Sequence, residues 1–112
     1  MPSTPWFFTV KPQTIPIPHL NFKVRVRHIH PSEVAAGSAA FCRFDHRHQA
    51  TIYLPKRCAP PMAAHEIIHA LEHICKSRNM AMEHEREHMA YLMQHLLGQI
   101  MGMVWVGGTR PS

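Results

Sequence analysis

The sequence has no apolar run that approaches the roughly 18 residues of a membrane span. The first twenty residues also lack the continuous apolar core of a signal peptide, because five prolines and Lys11 interrupt the short aromatic cluster at 6–8. We therefore expect neither membrane insertion nor export by that route. Cysteine is scarce as well: Cys42, Cys58 and Cys75 are widely spaced and form no CxxC, which is typical of reduced, buried thiols in a cytosol.

Acidic residues are outnumbered, since 7 Asp and Glu stand against 12 Lys and Arg for a net charge of +5 at pH 7. This charge favours anionic partners through long-range attraction. The basic residues are nevertheless spread along the chain, without a zinc-finger spacing or an RNA-binding aromatic motif. Nucleic acid is therefore a partner that the charge permits and that no motif indicates. Histidine is the residue in excess, with 11 in 112 residues.

The sequence patterns predict one α+β domain with a small, mostly antiparallel sheet. Residues 1–20 are proline-rich and are expected to form an extended arm. Apolar and basic residues alternate over 22–30, which predicts a half-buried strand. Segments 41–44 and 49–54 are also strand-like, and the polar stretch 45–48 suits a hairpin turn between them.

Two helices are predicted after the sheet. The first begins near Met62, after a run of prolines, and ends at about Ser77, with Asn79 as the stop. The second is a long C-terminal helix over about 80–103, with an apolar stripe at helical spacing. In this division residues 21–104 form the domain, and 105–112 form a flexible tail.

The stretch AAHEIIHALEH, residues 63–73, carries the strongest functional signal. Each helical residue turns about 100° and rises about 1.5 Å, so His65 and His69 lie about 40° apart, one turn above the other. Their imidazoles can converge on one ion at the distance of about 2.0 Å that zinc requires. Glu66 is then placed to reach the bound water and act as general base. His73 continues the row but lies about 12 Å along the helix from His65, so we expect it at the rim of the site.

A catalytic zinc site normally has three protein ligands, so the third is expected from another element. The start of the second predicted helix offers the candidates Glu83, His84, Glu85, Glu87 and His88. A helical wheel places Glu87 and Glu83 on the polar side of this helix, and they are the first and second candidates. The same residues also suit an ordinary solvated face with pairs at i,i+4 spacing.

Three segments carry a family resemblance: Thr51-Ile52-Tyr53-Leu54, His65-Glu66-Ile67-Ile68-His69-Ala70 and Glu87-x-x-Ala90. Over roughly residues 41–100 the chain resembles the compact HExxH zinc peptidases of the gluzincin type, such as ImmA/IrrE-like proteins and short phage-encoded proteins. The resemblance implies a sheet packed on the HExxH helix, with an edge strand that binds an extended peptide. It also implies that His65, His69 and Glu87 hold zinc while Glu66 is the catalytic base. Ile68 departs from the glycine common in the family, and the aromatic residue is displaced to Tyr91.

The function expected from these residues is zinc-dependent hydrolysis of a peptide bond in a protein or peptide substrate. The resemblance implies the cytoplasm of a bacterium or of a phage-infected cell. Tyr91, His88 or His73 would stabilise the oxyanion. SprT-like peptidases use a third histidine, in which case His84 or His88 would replace Glu87. The alternative from another class is a metal-stabilised binding or regulatory module without catalysis, which contacts a repressor or nucleic acid through its basic residues.

Overall fold

A four-stranded sheet is the centre of the fold in the computed structural model, which describes residues 6–35 and 39–103. The strands are β1 (Phe8–Thr9), β2 (Gln13–Ile17), β3 (Phe22–His28), β4 (Phe41–His46), β5 (Gln49–Leu54) and β6 (Arg57–Cys58). The helices are α1 (Pro31–Ala35), α2 (Pro60–Ser77) and α3 (Arg86–Ile100), with short 3₁₀ helices at Pro18–Leu20 and Met82–His84. The large sheet has the order β2-β3-β5-β4, and β1 pairs with β6 beside it.

The large sheet is mixed. β2 pairs with β3 and β4 with β5 in antiparallel fashion, whereas β3 and β5 are parallel. The predicted α+β class and the mostly antiparallel sheet are therefore confirmed. The parallel pair arises because the chain leaves the end of β3 and returns through α1 to add β4 on the far side of β5.

The proline-rich segment is more ordered than an arm. Its residues Gln13–Ile17 form β2, an edge strand that pairs with all but the end of β3. Pro16 lacks an N–H donor, and an edge strand tolerates it because only one side of the strand needs to pair. Ile15 and Ile17 alternate with exposed residues and enter the core. The prediction of an arm over 1–20 is therefore wrong for this part of the chain.

The core lies between one face of the large sheet and the two long helices. Alternate residues of each central strand point to this face, so β3 contributes Val24 and Val26, and β5 contributes Ile52 and Leu54. The helices contribute residues at three- and four-residue spacing, which are Ala63, Ile67, Ala70, Leu71, Ile74, Met89, Leu92, Leu96 and Ile100. Both long helices thus cover one side of the sheet.

Helix α2 begins at Pro60, with prolines in its first turn as predicted. It ends at Ser77 and is followed by Asn79 in the left-handed conformation, with φ of 56°. Between them, the guanidinium of Arg78 donates hydrogen bonds to the carbonyl oxygens of Leu20, Asn21 and Arg47. This arginine therefore fixes the C-terminal end of α2 against the 3₁₀ helix after β2 and the turn between β4 and β5.

Helix α3 begins at Arg86, six residues later than predicted from position 80. The chain first makes a left-handed turn at Asn79 and then the 3₁₀ helix at Met82–His84, where Met80 and Met82 pack on the core. Tertiary packing of these methionines thus overrides their helical propensity. The predicted tail at 105–112 lies outside the described residues. Within the described residues, no helix has the length and hydropathy needed to span a membrane.

Candidate metal centre

His65 and His69 lie side by side on α2, one turn apart. Their ring centroids are 5.0 Å apart, and the ring planes meet at 77°. Both side chains are exposed to solvent. The predicted pairing of these two imidazoles on one helix face is confirmed, because it depends only on the regular geometry of an unbroken helix.

Glu72 is a member of the site that the sequence reasoning did not assign. Its Oε1 lies 3.1 Å from Nδ1 of His69. A proton on Nδ1 donated to this carboxylate leaves the lone pair of Nε2 free, which is the arrangement that orients a metal-binding histidine. The side chains are 46% and 52% exposed, so the bond adds little stability and mainly sets the ring orientation. The i,i+3 spacing of His69 and Glu72 was the signal that could have revealed it.

Glu66 is a buried residue of α2 that lies near Cys42 of the edge strand β4. It is only 6% exposed, in contrast to the exposed histidines on either side of it in sequence. Burial, together with the carboxylates of Glu66 and Asp45, raises the pKa of the neighbouring Cys42 thiol to about 12. Burial also raises the pKa of Cys58, with Glu66 again adding to the effect. Both thiols therefore stay protonated at neutral pH, and neither is an activated nucleophile beside Glu66.

His73, the third histidine of the row, is bound to the edge strand. Its Nε2 donates to the carbonyl oxygen of His46 at 3.1 Å. Its ring stacks on Phe44, with centroids 4.3 Å apart and planes 5° from parallel. We therefore describe the motif cluster as Glu66, His65, His69 and Glu72, with His73 linking the same helix to β4.

The motif cluster and α3 lie on different flanks of α2. His73 precedes and Cys75 follows the buried Ile74, so their side chains leave the helix about 100° to either side of it. His73 contacts β4, whereas the Sγ of Cys75 lies 3.5 Å from the Sδ of Met89 on α3. His69 is one turn before His73 and shares its flank. The histidine side of α2 therefore faces β4 and solvent, and α3 packs on the other side.

This arrangement separates Glu87 from the histidine pair. Met89 meets Cys75, and Cys75 is six residues, or about 9 Å along the helix, from His69. Glu87 precedes Met89 by two residues and is exposed. Within residues 6–35 and 39–103 there is no group of three or more His, Cys, Asp or Glu side chains that could hold a metal ion. The structure thus brings together two of the three predicted ligands, and the ligand role of Glu87 stays a prediction.

Tyr91 is also placed away from the motif cluster. It is 58% exposed and lies between the buried residues Met89 and Leu92 in sequence, so its side chain leaves α3 on the solvent side. The remaining candidates for the third ligand, Glu83 and His84, are exposed on the 3₁₀ helix before α3. Packing of the apolar stripe of α3 against the core turns its polar side outward, which explains these positions.

A second cluster, which we call the bridging cluster, joins α3 to the 3₁₀ helix after β2. The Nε2 atoms of His19 and His88 are 2.8 Å apart, and Oε1 of Glu85 lies 3.7 Å from Nδ1 of His88. Sequence reasoning considered Glu85 and His88 as candidates for the zinc site and did not consider His19. No local pattern connects residues 69 positions apart in the chain.

Comparisons with protein-family models, with curated proteins and with solved structures find no match for this chain. The resemblance to compact zinc peptidases therefore rests on the residues of the motif and their spacing.

Proposed function

We propose that this protein is a zinc-dependent peptidase in which His65 and His69 bind the metal ion and Glu66 is the general base. The observation that carries the proposal is the pairing of His65 with a His69 ring whose Nδ1 is bonded to Glu72. Two imidazoles on one helix face, one of them oriented by a carboxylate, are donors that suit zinc. The donor set fits zinc in these two positions, whereas Glu87, which the family pattern assigns as the third ligand, is not among the groups that the described residues bring beside them.

The substrate would bind along β4. This strand is at the edge of the sheet, and its neighbour β5 occupies only one of its sides. An extended peptide can pair with the free backbone groups of such an edge. Glu66 lies beside this strand, and the exposed Phe44 on it would contact a substrate side chain. The peptide would then pass next to the motif cluster.

The chemistry follows from this placement. Bound zinc would supply a Lewis acid that acidifies water and polarises the carbonyl of the peptide bond. Glu66 would accept the proton of the attacking water and donate it to the leaving amine. Glu72 would hold the His69 ring in its binding orientation. The protonated thiols of Cys42 and Cys58 offer no competing nucleophile. The three free cysteines and the resemblance favour the cytoplasm of a bacterial or phage-infected cell.

The decisive experiment measures zinc and hydrolysis on the same preparations. Zinc per chain is determined by elemental mass spectrometry, and cleavage of a peptide library by mass spectrometry of the products, for wild type, His69→Ala and Glu66→Gln. We expect one zinc in wild type, loss of zinc in His69→Ala, and retained zinc without cleavage in Glu66→Gln, because Glu66 is not a ligand. Absence of zinc from reconstituted wild type would refute the proposal.

The incomplete ligand set favours one second candidate, a binding or regulatory module that zinc stabilises without turnover. Within the described residues, no third side chain completes a metal-holding group with His65 and His69. In that case chelation lowers the melting temperature, Glu66→Gln behaves like wild type, and no peptide of the library is cleaved. The same preparations therefore distinguish the two candidates.

A further inference from the structure

The face of the large sheet that is turned away from α2 and α3, here called the open face, has a composition unlike that of the core face. It consists of the strand residues that alternate with the core residues, which are Thr14, Pro16, Lys23, Arg25, Arg27, Phe41, Arg43, Asp45, Gln49, Thr51 and Tyr53. Thr14, Pro16, Lys23, Arg43 and Asp45 are exposed, and Arg25, Arg27, Phe41 and Tyr53 are partly exposed. Thr51 and Gln49, which bond to Asp45, are buried.

The open face collects basic residues that are far apart in the sequence. Lys23, Arg25 and Arg27 repeat every second residue on β3, roughly 6.6 Å apart along the strand. Arg43 joins them from β4, because both Arg25 and Arg43 are register partners of Thr51 on the strand between. The only acid among the open-face residues is Asp45. Four positive charges against one negative charge give this surface a strong preference for anions.

Within the part of the chain that the structure describes, most of this positive charge has no ion-pair partner. The two ion pairs of the described residues both involve histidines of the long helices. Asp45 accepts hydrogen bonds from Thr51 at 2.5 Å and from Gln49 at 3.0 Å, and none of the described basic residues lies within ion-pair distance of it. Its desolvation is outweighed by these bonds and by the more distant charges of Arg25 and Arg43, which lower the pKa of its carboxyl. Arg27 is partly engaged, since it donates to the carbonyl oxygen of Val26. Lys23, Arg25 and Arg43 are thus the basic groups with donors available for a ligand.

Aromatic rings lie directly beside these charges. Phe41 and Tyr53 are stacked, with centroids 4.5 Å apart and planes 20° from parallel. The guanidinium of Arg43 lies 5.4 Å from the centroid of Tyr53. Both rings are partly exposed at the end of the sheet where β4 begins and β5 ends. A row of cations next to stacked, accessible π surfaces combines the two elements that hold an unpaired nucleic-acid strand.

We propose that the open face binds single-stranded nucleic acid, with Lys23, Arg25 and Arg43 contacting phosphates and Phe41 and Tyr53 stacking against bases. A single strand suits this surface better than a duplex because only unpaired bases expose their faces to aromatic side chains. Since the open face lies opposite the motif cluster, this binding is independent of zinc. His69→Ala should therefore bind the strand like wild type.

The test measures fluorescence anisotropy of a labelled 20-nucleotide oligothymidylate at 50 to 200 mM salt, conditions under which phosphate contacts dominate affinity. The sheet variant is Lys23→Gln/Arg25→Gln/Arg43→Gln. The matched control is Lys56→Gln/Arg57→Gln/Lys76→Gln, which removes the same charge from exposed positions elsewhere. We expect the sheet variant to lose about tenfold or more in affinity, while the control loses much less. The slope of log affinity against log salt concentration should become shallower by about two units in the sheet variant. Tyr53→Leu should lower affinity about tenfold without changing the slope.

Any of three binding results would overturn the proposal. If the sheet variant and the control lose affinity equally, the binding depends on net charge alone. If polyglutamate competes as effectively as unlabelled oligothymidylate, the bases play no role in the binding. Absence of binding by wild type at 50 mM salt would reject it outright. Circular dichroism checks that each variant is folded. Should the sheet variant not fold, backbone amide shifts of wild type titrated with the oligonucleotide decide: shifts confined to β3, β4 and β5 support the proposal, and shifts elsewhere overturn it.

Discussion

The motif cluster and the bridging cluster use the same residue types and are built in opposite ways. In the motif cluster, Glu66, His65, His69 and Glu72 all belong to one helix, and their relative positions follow from its regular geometry. In the bridging cluster, His19 meets His88 only because the 3₁₀ helix after β2 packs beside α3. The motif cluster should therefore survive any change that leaves α2 intact, whereas the bridging cluster depends on long-range packing.

The largest effect is expected from loosening the packing of α3. Leu96 is fully buried, whereas Ile68 on α2 is 42% exposed and serves as the matched control. We expect Leu96→Ala to lower the free energy of unfolding by about 2–5 kcal/mol, because it leaves a cavity between α3 and the core. Ile68→Ala should change it by less than about 0.5 kcal/mol. Urea titration followed by circular dichroism measures both.

The Leu96→Ala variant also tests whether the two clusters differ in their dependence on α3. If α3 packing positions the bridging cluster, the imidazole proton signals of His19 and His88 should shift in Leu96→Ala, while those of His65 and His69 stay close to their wild-type positions. Equal disturbance of all four histidines would mean that the motif cluster also depends on α3. The prediction that the motif cluster does not depend on long-range packing would then be wrong.

An intermediate effect is expected at the two acids that different arguments attach to zinc. Glu72 is bonded to His69, and Glu87 is assigned by the family pattern but lies at the far end of α2. From this placement we expect Glu72→Gln to weaken zinc affinity about 10- to 100-fold, because the His69 ring loses its orienting carboxylate. Glu87→Gln should leave zinc affinity within about twofold of wild type. Competition with a chromophoric chelator measures both affinities.

One outcome for Glu87 would contradict the view that the motif cluster is built from α2 alone. A loss of zinc in Glu87→Gln as large as in His69→Ala would show that the start of α3 moves to the motif side when the metal binds. The site would then combine local and long-range elements, as the family pattern implies. Retained zinc would exclude Glu87 as the third ligand and leave His65 and His69 as the assigned ones.

The features predictable from the sequence are those fixed by short-range geometry. The strand from Phe22 was evident from its alternating pattern, and the helix after Pro60 was evident from its prolines and its apolar spacing. The pairing of His65 with His69 followed from one helical turn. In each case the neighbours that decide the structure lie within about four residues, so the sequence contains the necessary information.

The features that escaped prediction depend on partners far away in the chain. β2 contains Pro16, and its strand conformation becomes evident only from its pairing with β3. The late start of α3 follows from the packing of Met80 and Met82 on the core. The open face gathers Arg43 beside Arg25 through the register of β5. Local propensity does not contain such register and packing choices, and the third zinc ligand is a question of the same kind.

The smallest effect is expected within the bridging cluster itself, where a double-mutant cycle on His19→Ala and His88→Ala measures the coupling of the two rings. Their 2.8 Å contact is exposed to water, so we expect a coupling near the lower end of the 0.5–1.5 kcal/mol range of a hydrogen bond, about 0.5 kcal/mol. The matched cycle on His65 and His69 in metal-free protein should give about zero, because these rings are neighbours on one helix without a hydrogen bond between them. A larger coupling between His65 and His69 than between His19 and His88 would contradict this expectation, since the neighbours on one helix would then stabilise the fold more than the long-range pair does.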